Sequence, residues 1–177
     1  MIRTPGILPS LASSPFTDVH QYDTILNEYR TASTSNERNT ALRALGRAKA
    51  PALIKRTLAL PLGEEVKSQD IYLPLSGLRT HEDGVNALWA WMKDNWSELE
   101  RKLPPSLTML STVVSICTSS FTHEDHMRDI QDFFGKRKTQ GFDQSLAQSL
   151  DSIRAKSRWL KRDSGDVEGW LKEKGYL

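Results

Sequence analysis

The sequence predicts an all-helical fold, an irregular solenoid or bowl of antiparallel helix pairs, and three observations predict it. Apolar residues recur at three- and four-residue spacing almost throughout. Helix start and stop residues fall between the apolar runs. No stretch alternates apolar and polar residues as a half-buried strand would.

Met1 to Phe16 holds Pro5, Pro9 and several serines and is expected to be a loose N-terminal arm (1–16), ahead of one helical domain (17–177). Val19, Tyr22, Ile25, Leu26 and Tyr29 then share one helix face. Thr34 or Ser35 can cap the next helix, which carries Ala41, Leu42, Ala44 and Leu45 and stops at Gly46. Pro51 suits the first turn of a third helix bearing Leu53, Ile54, Thr57 and Leu58, ended by Pro61 and Gly63. A fourth is expected to open at Lys67 or Ser68 and run through Ile71, Tyr72, Leu75 and Leu78, shortened or kinked by Pro74.

A longer helix is expected from about Glu82 to Arg101, with Val85, Leu88, Met92, Trp96, Leu99 and Leu103 facing inward. Pro104-Pro105 ends it, and Ser106 to Ser119 forms the next. Thr122 with Asp125 resembles a capping box for a helix through Met127, Ile130, Phe133 and Phe134 that stops near Gly141. Asp143 begins a helix carrying Leu146, Leu150, Ile153 and Trp159-Leu160. Asp163 to Gly165 is expected to break it before a short last helix with Val167, Trp170 and Leu171. No strict repeat period is visible, so the architecture expected is an irregular superhelix of the armadillo or HEAT kind.

Composition narrows the function. The 177 residues carry 24 basic and 22 acidic side chains, a net charge of +2, with no basic stripe of the kind nucleic-acid binders use. No apolar run approaches the roughly 20 residues that span a bilayer. One cysteine, Cys117, lies in an apolar stretch and reads as an inert buried thiol in a reducing, cytoplasmic setting.

The motifs that suggest catalysis have bland readings. His123 and His126 are three apart at a helix start, whereas zincin histidines are four apart on one face. His81-Glu82 reads as a helix entrance. Trp89 and Trp96, two turns apart with Met92 between them, read as core, and Trp91 projects toward a neighbouring helix or domain. No catalytic or metal-binding residue is assigned.

Read together, certain strings resemble a known family. They are Arg43-Ala44-Leu45-Gly46, Ser68-Gln69-Asp70, Gly84 through Trp89 to Trp96, Phe121-Thr122, Phe133-Phe134, Gly141 through Leu146, Ile153-Arg154-Ala155, Trp159-Leu160 and Val167 to Leu171. In this order they resemble the C-terminal helical domain of zinc aminopeptidases of the puromycin-sensitive, fungal alanine/arginine and endoplasmic-reticulum types, from about Tyr22 to Tyr176. The resemblance implies a domain that covers a peptide chamber, with a catalytic aminopeptidase domain and a peptide as partners. It places the zinc, held by a HExxH helix that does not occur here, in that other domain, so this chain is expected to bind no cofactor. It also implies that Lys67, Gln69 and Tyr72 contact the distal part of the peptide. A stand-alone helical scaffold for a protein partner is the alternative.

Overall fold

A computed structural model describes residues 15–103 and 108–177. Nine helices lie among them: α1 (Val19–Thr31), α2 (Ser35–Leu45), α3 (Pro51–Ala59), α4 (Tyr72–Leu78), α5 (Glu82–Asp94), α6 (Trp96–Lys102), α7 (Thr108–Thr118), α8 (Glu124–Phe134) and α9 (Asp143–Glu173). Among the described residues the only extended pairing is one bridge, Phe16 with Ala48. The all-helical expectation holds.

The helices follow one another in two rows. In the first, α2 packs on α4, α4 on α7, and α7 on α9. The second runs α1, α3, α5 and α8, joined by Arg56 to Asp23 at 2.7 Å, by α3 against α5, and by Trp89 and Lys93 to Asp129. A single apolar core lies between the rows, from Phe16 and Tyr22 at one end to Phe142 and Ile153 at the other. Thr57 ties it together, its hydroxyl lying 3.2 Å from both the Tyr22 hydroxyl and the Leu45 carbonyl.

Local signals place most boundaries. Thr34 and Glu37 form a reciprocal capping box, and the Asp18 carboxylate accepts from the amides of His20 and Gln21. Pro51 occupies the first turn of α3. Gly46 caps the end of α2 as expected, but at φ −65° its conformation is not one that requires glycine. The end of α2 crosses α4 so closely that a Cβ there would overlap the Pro74 carbonyl and lie 2.8 Å from Gly77 Cα. Gly46 is required by packing.

Several boundaries differ from the expectation. The fourth helix opens at Tyr72, so Pro74 falls in its first turn, where no intrahelical amide bond is lost, and the helix is short but intact. The long fifth helix divides at Asn95, which leaves helical geometry at φ −113° and ψ 17°, its side-chain amide bonded to the Trp91 carbonyl at 2.8 Å. Val85 is half-buried, and the rest of the stripe faces the core. Thr122 does not cap α8: His123 holds that position without a side-chain bond, and Asp125 pairs with Arg128 at 3.3 Å. The same helix ends at Phe134, well before Gly141, because the chain turns back to bury Phe142 against Trp96 and Phe134.

The last helix runs unbroken through Asp163 to Gly165, as the Asp163 carboxylate grips Arg162 instead of capping a new start. The arm also ends in structure, with Phe16 only 6% exposed and bonded to the 47–49 backbone. The rest of the expected arm, Met1 to Ser14, and the expected stop at Pro104-Pro105 with Ser106 lie outside the described residues.

Candidate functional site

The turn that carries Lys67 and Gln69 is fixed from both ends. Val66 and Ile71 are buried on either side, and the Asp70 amide donates to the Lys67 carbonyl at 2.8 Å. Upstream, the Tyr29 hydroxyl donates to the Glu65 carbonyl at 2.6 Å, and Arg30 pairs with the Glu65 carboxylate at 2.7 Å. With the apolar neighbours committed to the core, Lys67 and Gln69 must face solvent.

They line a cleft of about 400 Å³ with Ser68 and with Thr108 and Met109 at the start of α7. Lys67 has no ion-pair partner among the described residues, so its ammonium is available to an incoming anion. Tyr72 is half-buried on α4 and does not line this cleft. Two of the three residues named from the sequence therefore come together, and the third does not. Thr108 and Met109 were missed because some forty residues separate them from the turn, and no local pattern joins the two segments.

The histidines form a second concavity, of about 410 Å³, between the turn before α5 and the loop before α8. His81 lines it with His123 and His126, a proximity that their separation in sequence conceals. Two of the three rings already have structural work. His81 Nδ1 accepts from the Gly84 amide at 3.1 Å and caps α5, and burial, with Lys49 nearby, pulls its pKa down. His126 stacks on Phe121 with ring centroids 4.1 Å apart, while His123 and His126 are 6.5 Å apart. No group of three or more potential metal ligands exists among the described residues. Cys117 is buried, and burial drives its thiol pKa well up, which suits inert packing.

Trp89 and Trp96 belong to the core, as the sequence suggests. Trp96 meets Phe133, Phe134 and Phe142 edge-on at 5.2–5.8 Å. Trp89 donates from Nε1 to Asp129 at 2.6 Å, and Lys93 adds a second bond to the same carboxylate at 2.8 Å. Partial burial raises the Asp129 pKa, but these two bonds outweigh it and leave the value low. Trp91 is 8% exposed and forms one wall of an apolar groove of about 640 Å³ between α3 and α5.

Residues 6–155 match the family model described as the ERAP1-like C-terminal domain. The chain belongs to that family. The match takes in most of the segment expected as an arm and stops 22 residues before Leu177. Aminopeptidase 2, mitochondrial, of Saccharomyces cerevisiae is 47% identical over 155 residues, which is 88% of this chain and 16% of that protein. Aminopeptidase 2 of Candida albicans is 41% identical over 97% of this chain and 19% of its own length. Alanine/arginine aminopeptidase of S. cerevisiae is 40% identical over 89% of this chain and 18% of its own. This ERAP1-like domain thus spans less than a fifth of the length of these relatives. No helix among its described residues is long and apolar enough to cross a membrane.

Proposed function

We propose that this chain acts as the non-catalytic C-terminal domain of a zinc aminopeptidase. In this reading it covers the peptide chamber of a catalytic domain in the cytoplasm and holds the far end of the peptide while N-terminal residues are removed. Zinc belongs to the catalytic domain. The observation that carries the reading is the cleft at the 67–69 turn, where an uncommitted ammonium and a side-chain amide share one concavity on a rigidly held loop. Lys67 supplies a charge-assisted bond to a peptide carboxylate, and Gln69 can donate to or accept from its main chain. Binding energy collected there serves the reacting centre at the other end of the peptide.

The test compares a fluorescent ten-residue peptide bearing a free C-terminal carboxylate with the same peptide amidated. A charged hydrogen bond contributes about 1.5–3 kcal/mol, so the free acid should bind at least ~10-fold more tightly, and Lys67→Ala should erase the difference. Equal affinity for acid and amide in the unmodified chain would remove the assigned role of Lys67. The chain alone, supplied with zinc, is expected to leave aminoacyl reporters intact. Turnover abolished by His123→Ala would overturn the non-catalytic reading.

A further inference from the structure

The turn between α4 and α5 closes on a histidine. His81 holds the N-cap of α5, a position that Ser, Thr, Asp or Asn more often fills. Hydroxyl and amide oxygens accept a hydrogen bond at any pH, whereas an imidazole nitrogen accepts only while it carries no proton. Here Nδ1 accepts from the Gly84 amide at 3.1 Å, so the ring is neutral and its proton is on Nε2. Protonated, Nδ1 would turn an N–H toward the Gly84 N–H, and two donors would face each other.

The ring has little room to adjust. A Cβ on Gly84 would lie 2.8 Å from His81 Cε1 and 2.0 Å from the Leu78 carbonyl oxygen, so α5 starts in close contact with both the ring and the end of α4. Nε2 is buried with no hydrogen-bond partner among the described residues. Burial of the ring, and after it the charge of Lys49, hold the pKa below the ordinary value of about 6.5. The Asp83 carboxylate and the Ala48 carbonyl pull the other way and are outweighed. Arg79, Glu82, His123 and His126 line the same concavity. The cap is therefore complete above about pH 6.5 and is lost as pH falls through the lowered value.

We propose that His81 is an acid-sensitive latch, which fastens the first turn of α5 to the end of α4 while it is neutral and releases that turn once it is protonated. An imidazolium at a helix N-terminus is also opposed by the helix dipole, so the released ring gains nothing by staying in place. Two surfaces share the turn. Glu82 and Val85 line the histidine concavity and Asp83 lines the α3/α5 groove, so release alters both. None of these residues lines the cleft at Lys67, and the latch is independent of the peptide reading.

The test is amide exchange in the full chain from about pH 8 to about pH 4.5, corrected for the intrinsic rate, in the unaltered protein and in His81→Asn. Asparagine caps at every pH in this range, and the variant keeps Lys49, Arg79, Glu82, Asp83, His123 and His126. Protection of Gly84 should fall about 5-fold on acidification in the unaltered chain, the equivalent of one lost cap, and should show no such fall in His81→Asn. In the unaltered chain the chemical shift of the Gly84 amide should follow the titration of the His81 ring, a readout that needs no variant. Urea midpoints should agree, with the advantage of His81→Asn growing as pH falls. A Gly84 amide indifferent to the titration of the ring, or an equal loss of protection in His81→Asn, overturns the latch.

Discussion

The α5–α6 stretch and the distal half of α9 look alike in sequence, and the fold treats them in opposite ways. Each has tryptophans at helical spacing and a polar interruption. The first is broken at Asn95, and every large apolar residue of its inward stripe from Leu88 to Leu103 is buried. The second is continuous through Ser164-Gly165, and its tryptophans are half exposed. A helix packed on both sides must meet its neighbours, and one residue out of helical geometry lets Trp96 reach the aromatic cluster. Beyond Ser157 no residue of α9 is buried, and Lys161 holds it to α8 only through an ion pair with Glu124 at 3.0 Å, so the helix keeps its own hydrogen bonds and runs straight through weak formers.

The largest test of this contrast is Trp96→Ala, which should destabilise the chain by about 3–5 kcal/mol, the usual range for removing a buried aromatic. Trp170→Ala, measured by denaturant midpoint at a concentration where the chain is monomeric, should stay within about 0.5 kcal/mol. Comparable losses would mean that the distal half of α9 is packed after all.

Glycines sharpen the same contrast at smaller cost. Gly46→Ala should lower stability by about 1–3 kcal/mol, because the new methyl meets backbone atoms of α4 that cannot give way. Gly165→Ala meets nothing within 4 Å. It should stabilise its helix by up to about 1 kcal/mol, seen as slower amide exchange over residues 160–173 with little change in global unfolding. Faster exchange there would show that Gly165 serves a conformation other than the continuous helix.

The inward face of Trp89 and Trp96, the Thr34 cap and the Pro51 start could be read from sequence because each depends on neighbours within a turn or two. The candidate cleft was half legible. Lys67 and Gln69 flank a turn held by local bonds, while Thr108 and Met109 arrive from the other side of the core. Tyr72 lies outside it for a related reason: placed at the first turn of α4, it does not line the cleft formed by residues five and three positions earlier.

By itself the sequence determined that the fold is all helical, which faces are apolar and where most helices start, since these follow from periodicity, capping and the missing amide of proline. The tertiary structure alone decided where helices stop. Gly46 is needed because α4 crosses there, α8 ends early so that Phe142 can be buried, and α9 continues because nothing opposes it. It also decided which polar side chains share a cavity. His81 meets His123 and His126, and Lys67 meets Thr108, only because helices far apart in the chain pack side by side. Those adjacencies come from core burial between distant elements, a long-range energy that no local spacing records.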